Sequence, residues 1–342
     1  MGFLSDLVLR KRSESVILID IGADSIGGAY AVFADGSLPV VLYTMRLSTE
    51  RHAGEHEDTA MLRTLKQVTD TITKEGAPVL ARATGSGRAN RILVSIDAPW
   101  QKVSVRTEHF DPGESFIFND KLVDALLKET GNEFPGKQLV DESVIGTMLN
   151  GYETKDPYGK SAHRAAIVVM TSFIDEAIAQ NITTILRGAF HMRRIIPIAG
   201  SSIRYQALHK AFPHERDALM IDAIGPLTSV ALVRSGLFAE IIEVAVDTGT
   251  YAEWGAQVEG KLGELAKRFP LPRTLFLLTQ ETKLESLRKK LDDAKLGDLW
   301  LSDNPPNVIS VLVSHLNTLI RQTTTNPPDI TLLLMALFCK ES

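Results

Sequence analysis

The 342 residues carry 37 Lys and Arg against 42 Asp and Glu, a net charge of −5, with 44% hydrophobic residues and one cysteine. A disulfide scaffold is excluded, because Cys339 has no partner thiol. The acidic balance argues against a general nucleic-acid binder, and the longest apolar run, Ile330–Phe338, is too short to span a bilayer. The length allows two domains. The reduced thiol and the lack of an export signal predict a cytoplasmic protein.

Residues 1–12 put Phe3, Leu4, Leu7 and Val8 at helical spacing, with Arg10, Lys11 and Arg12 directly after them. Charges that follow the apolar run do not make a signal peptide. Two readings stand: a leader docked on the domain, or a short interfacial helix whose basic cluster meets anionic headgroups at the inner face of the cell membrane.

Three strands are predicted next, at Val16–Ile21, Ile26–Phe33 and Leu38–Leu47. Asp58–Glu75 has helical periodicity, and Ala81–Arg91 has the composition of a loop. Strands follow at Arg91–Ile96 and Lys102–His109, then a strand edge and helix across Glu114–Asn132. Leu139–Thr171 returns to strands, around the turn-rich NGYETKDPYGK. Ile174–Phe190 and Ser202–Phe212 read as helices, with a strand at Arg194–Ala199 between them. A second strand block covers Leu219–Asp222, Ser229–Val233 and Glu240–Val246. Helix Tyr251–Arg268, strand Thr274–Leu278 and helix Leu284–Leu291 come next, then a helix over Val308–Gln322. Asp329–Phe338 fits either a strand or a helix. Interleaved strands and helices define an α/β protein.

The chain carries one internal echo. VILIDIGADSIGGAYAVF, from Val16, and LMIDAIGPLTSVALVRSG, from Leu219, each give an apolar strand ending in Asp, a Gly-containing turn and a second strand. Such a turn suits phosphate: glycine permits φ > 0 and leaves no Cβ between ligand and backbone N–H. The strand-end carboxylates, Asp20 and Asp222, suit Mg²⁺ held through its waters. The alternative is a plain Asx-type turn. A matched pair implies two similar lobes clamping a nucleotide.

These residues resemble the bacterial actin-like family of the division protein FtsA and the pilus-assembly protein PilM. Asp20-Ile21-Gly22-Ala23-Asp24-Ser25-Ile26 resembles the family's first phosphate motif, and the segment from Pro213 to Val233 the one carrying the second. Asn150–Lys160 with Ala165–Thr171 resembles the FtsA-type inserted subdomain, Arg194–Ser202 the connecting strand and helix start, and VAVDTGTY, from Val244, a glycine-bearing strand end. The resemblance implies a two-lobed actin-like (ribonuclease-H-like) fold with a reduced second lobe. It divides the chain into a leader (1–12), first lobe (13–98 and 171–213), inserted subdomain (99–170) and second lobe (214–342). It implies ATP and Mg²⁺ as ligands, with Asp20, Gly22, Ala23, Asp24, Ser25, Asp222, Gly225, Thr228, Thr279 and Gln280 as contacts.

The motifs are eroded. Asp222–Thr228 keeps one glycine, Pro226 offers no N–H, and Ile224 and Leu227 obstruct a phosphate. The adenosine motif's glycines are replaced by Gln280 and Glu281. Weak ATP binding and negligible hydrolysis are expected. The implied role is a membrane-peripheral scaffold of an envelope machine, in cell division or type IV pilus assembly, with self-association as a further possibility. The competing class is a phosphotransferase of the sugar-kinase kind, which needs an intact nucleotide site. His52 and His56 have i, i+4 spacing but sit in an acidic, solvated stretch. Arg82, Arg88 and Arg91 read as a solvated loop or a small basic patch, and Trp100 as core or partner contact.

Overall fold

A computed structural model describes residues 13–129, 135–154, 156–225, 227–234, 237–244, 251–294, 296–300 and 306–339. The leader (1–12), Pro226 and most of VAVDTGTY lie outside the described residues.

The chain opens with β1 (Ser13–Ile21), β2 (Ser25–Ala34) and β3 (Val40–Ser48), then α1 (Glu57–Thr71). A π-turn at Ile72–Gly76 leads into α2 (Ala77–Thr84), which Gly85 ends at φ 79°. The helical stretch therefore runs beyond the predicted Glu75, and the predicted loop begins only at Gly85. Pro78 has no N–H and its ring crowds the preceding turn, so the helix widens there rather than stopping. Then come β4 (Arg91–Ile96), β5 (Gln101–Phe110), β6 (Phe116–Ile117), α3 (Asp120–Glu129), β7 (Lys137–Leu149), β8 (Tyr152–Glu153), β9 (Ser161–Ala162) and β10 (Ala165–Asp175). After α4 (Glu176–Phe190), β11 (Ile195–Ala199) and α5 (Gly200–Ala211) stand β12 (Ala218–Ala223), β13 (Thr228–Arg234) and β14 (Leu237–Val244). The remainder is α6 (Tyr251–Ala266), β15 (Thr274–Thr279), α7 (Glu281–Asp293), β16 (Asn307–Ser310), α8 (Val313–Leu316), β17 (Arg321–Gln322) and α9 (Ile330–Cys339).

The predicted helix Val308–Gln322 is corrected: within it only Val313–Leu316 is helical. Val308 and Ile309 are β-branched and pair in parallel with Leu275 and Phe276 on β15, so the ladder wins over the 3.6-residue spacing. Asp329–Phe338, left open by sequence, is helical from Ile330 onward, and Thr331–Cys339 are all buried. Asp329 caps it, its Oδ1 accepting the Leu332 N–H at 3.1 Å.

The chain divides into two compact units. The first comprises the described residues of Met1–Asp97, Ala177–Ala211 and Leu312–Ser342. Its sheet has the order β11-β4-β1-β2-β3-β17, with β1, β4 and β11 parallel and β2 antiparallel to both neighbours. β1 is central and covered on both faces, hence its unbroken run of buried Val16, Ile17, Leu18 and Ile19. Helix α9 packs on α5 and on β1–β3. The C-terminal segment therefore belongs to this unit and not, as predicted, to the second lobe. An all-apolar helix reaches low free energy only when enclosed on every side.

The second unit comprises the described residues of Ala98–Glu176 and Phe212–Val311. One sheet has the order β14-β13-β12-β15-β16, its core centred on buried Trp254. A smaller sheet, β5-β10-β7-β8, covers the stretch expected to be a subdomain inserted in the first lobe; it groups instead with the second unit and has its own core around Phe118. The two sheets touch through β14, β5 and β7, and Arg216 pairs with Glu153 at 2.8 Å. Trp100 is buried.

Candidate functional site: two phosphate-type hairpins

The echo in sequence is an echo in topology. From each hairpin outward the strands run third, second, first, fourth, fifth: β3-β2-β1-β4-β11 in one unit and β14-β13-β12-β15-β16 in the other. In both, the first two connections are antiparallel and the next two parallel. Asp20 and Asp222 occupy equivalent places near the carboxyl end of the central strand, where open α/β sheets bind ligands.

The chemistry of the two hairpins differs along a single rung. In the first, Asp20 pairs with Gly27 and Gly27 with Arg46, so both side chains leave the same face with only a glycine between. Two strand spacings, roughly 10 Å, are within reach of an arginine. Its Nη2 donates to Asp20 Oδ2 at 2.8 Å, its Nε to Asp329 Oδ2 at 2.6 Å, and its Nη1 to Ser25 Oγ at 3.1 Å. A Cβ on Gly27 would stand 2.6 Å from Arg46 Nη2. Gly27 is thus a seat for the guanidinium.

Asp20 is 2% exposed, and its Oδ1 has no hydrogen-bond partner among the described residues. Burial pushes its carboxyl above the usual range, while Arg46 pulls it down. Burial likewise disfavours the charged Arg46, but the carboxylates of Asp329 and Asp20 outweigh it and keep the guanidinium protonated. Beside them, Arg204 on α5 grips Asp97 in a bidentate pair, at 2.6 and 2.9 Å. Gly200 lets that pair form, since a Cβ there would overlap the Asp97 carboxylate.

Gly22 does not take φ > 0, contrary to expectation; its N–H donates to Ser25 O at 3.1 Å and closes the turn. Asp24 accepts from the Ser25 hydroxyl, and Ala23 is half-buried between these turn residues.

In the second hairpin the corresponding rung reads Asp222, Ser229 and Glu243, with no cation. Asp222 Oδ1 accepts the Ile224 N–H at 3.3 Å, an Asx-type turn. Thr228 is fully buried and its Oγ1 accepts the Trp254 indole N–H at 2.9 Å, so its hydroxyl serves the core instead of facing a phosphate. Thr279 Oγ1 donates to Ala223 O and Gln280 Nε2 to Ile224 O, so both brace the turn. Gly225 has open space around it and an ordinary φ.

These residues do not fit a divalent metal at Asp20. A dication about 5 Å from Arg46 costs roughly 7 kcal/mol of repulsion at an effective dielectric of ~20. The guanidinium already holds one of the two carboxylate oxygens, Oδ2, and stands between Asp20 and Asp329. Arg46, Asp97, Arg204 and Asp329 escaped the sequence reading. One signal was available, because Arg46 is the single charged residue of β3 and counting back from the hairpin turn sets it opposite Gly27.

Two sheets of this shared order, each opening on an Asp-ended hairpin, define the class: an actin-like fold. No protein-family model matches the chain, and no curated protein does. Among solved structures it is similar to the PilM–PilN type IV pilus biogenesis complex, at 13% identity over 97% of this chain and 98% of the other, with a TM-score of 0.61. It also aligns with a Bacteroides thetaiotaomicron protein of actin-like ATPase fold and unknown function (10% identity, 94% and 95% coverage, TM-score 0.48). EutJ, the ethanolamine utilization protein of Carboxydothermus hydrogenoformans, aligns at 12% identity with 96% and 91% coverage and a TM-score of 0.43.

Proposed function

We propose that this chain is an actin-like scaffold of an envelope machine of the type IV pilus kind, acting at the cytoplasmic face of the membrane without turning over nucleotide. The observation that carries this reading is end-to-end similarity of fold to the PilM–PilN complex, inserted region included. The nucleotide-independent part rests on Arg46, which supplies within the protein the positive charge that Asp20 would otherwise take from a metal. A phosphotransferase needs a metal-loaded phosphate clamp and a free carboxylate base. Asp20 and Asp97 are each committed to an arginine. No helix among the described residues is long and apolar enough to cross a membrane, so attachment would run through a partner or the leader.

Cross-linking and affinity capture from the native host test the assignment. Recovery of a single-span pilus-assembly protein is expected; recovery of a tubulin-like filament protein would move the assignment to division. The nucleotide part is tested by melting at millimolar Mg²⁺-ATP. A ligand at a hundredfold its Kd adds about 2.7 kcal/mol, so real binding gives a shift of several degrees. No shift is expected. A shift abolished by Asp222→Ala would overturn it.

A further inference from the structure

A cavity of about 480 Å³ opens in the first unit, beside the ends at which β4 and β11 begin and so opposite Asp20 and Asp97. The loop before β4 brings Arg88 to it, and the turn between α4 and β11 brings Arg193 and Arg194. No Asp or Glu lines it, in a chain with five more acids than bases. All three arginines are exposed, and none has a carboxylate partner among the described residues. The basic patch read from sequence is thereby redrawn. Arg82 does not line the cavity, and Arg91 is buried and paired with Glu14 at 3.0 Å, while Arg193 and Arg194 join Arg88.

The rest of the cavity is fixed. Asn90 is pinned to β1, its Oδ1 accepting the Ser15 N–H and its own N–H donating to Ser15 O, both at 2.7 Å. Its Nδ2 is left as a donor. Ile17 and Tyr30, both buried, form an apolar wall. The last turn of α4 also lines the cavity, and His191 ends it at φ 52°. A helix C-terminus offers about half a negative charge, which cannot balance three guanidiniums.

Guanidinium forks match the oxygens of phosphate groups. We propose that this cavity binds a phosphate-type oxyanion, a phosphate mono- or diester with Arg88, Arg193, Arg194 and Asn90 Nδ2 as donors. The inference is independent of the nucleotide question, since all four donors lie outside the hairpins and only the apolar wall, Ile17 and Tyr30, belongs to β1 and β2.

The experiment uses the full chain with two probes at low salt: glycerol 3-phosphate by titration calorimetry, and sedimentation with phosphatidylglycerol vesicles. Binding of at least one probe is expected. Each single variant (R88Q, R193Q, R194Q) should weaken vesicle binding about fivefold, the equivalent of ~1 kcal/mol per basic residue near an anionic surface. The triple variant should abolish binding of either probe. Binding of free glycerol 3-phosphate assigns the site to soluble phosphate compounds. Vesicle binding that glycerol 3-phosphate does not compete assigns it to lipid headgroups. The arginines are exposed, so an unchanged melting temperature confirms folding; should the triple variant melt early, the R193Q/R194Q pair replaces it. Failure of both probes would overturn the proposal. So would vesicle binding that survives in the arginine variants and disappears only when residues 1–12 are deleted.

Discussion

Replacing Arg46 with Met removes the cation between two carboxylates and keeps most of the aliphatic volume. Asp20 has a side chain only 3% exposed and Asp329 one 13% exposed, so neither charge recovers much hydration. Breaking a buried pair on one side costs about 3–5 kcal/mol, because the remaining charge stays desolvated. In a protein of this size that lowers Tm by roughly 10 °C. The loss should depend on pH in a defined sense. Asp20 titrates above its unfolded value already, and without Arg46 it rises further. A carboxyl whose folded pKa is raised opposes folding when ionised, and that penalty fades as pH falls through the folded pKa. The gap between R46M and the parent should therefore narrow from pH 7 towards pH 5. The double variant D20N/R46M should recover part of the loss even at pH 7, since one of the stranded charges is gone. Urea denaturation of the parent, D20N, R46M and D20N/R46M at both pH values is the assay. An R46M protein within ~0.5 kcal/mol of the parent, or a gap that widens in acid, would refute the ion-pair reasoning.

Two glycine substitutions separate seat from spacer. Gly27→Ala places a methyl 2.6 Å from Arg46 Nη2 and should destabilise nearly as much as R46M, whereas Gly225→Ala meets nothing within 4 Å and should stay within ~0.5 kcal/mol of the parent in the same denaturation assay. Cys339 is 3% exposed on α9 and burial lifts its thiol to about 12, so a chromogenic disulfide reagent at pH 8 should react only after unfolding; prompt reaction of the native protein would contradict the enclosure of α9.

Local pattern was enough for the α/β class, for most strand and helix positions and for the paired hairpins, because alternation, apolar runs and turn residues act over a few neighbours. Val16–Ile21 and Arg91–Ile96 had to be strands wherever they lay. The same reading assigned Val308–Gln322 to a helix, since the sequence does not show that β15 waits to pair with it. Asp329–Phe338 was undecidable for a related reason: a segment apolar on every side has no periodicity to read, and only enclosure by α5 and the sheet selects its form. The site divides the same way. Asp20 and Asp222 are visible as strand-end carboxylates, and their motifs look alike in one dimension. Register decides what stands opposite them, and it sets an arginine across from one and a glutamate across from the other. The charge of a site is a sum over residues that meet in space. Asp329, 309 positions beyond Asp20 in the numbering, reaches Arg46 only because α9 folds back onto the first sheet.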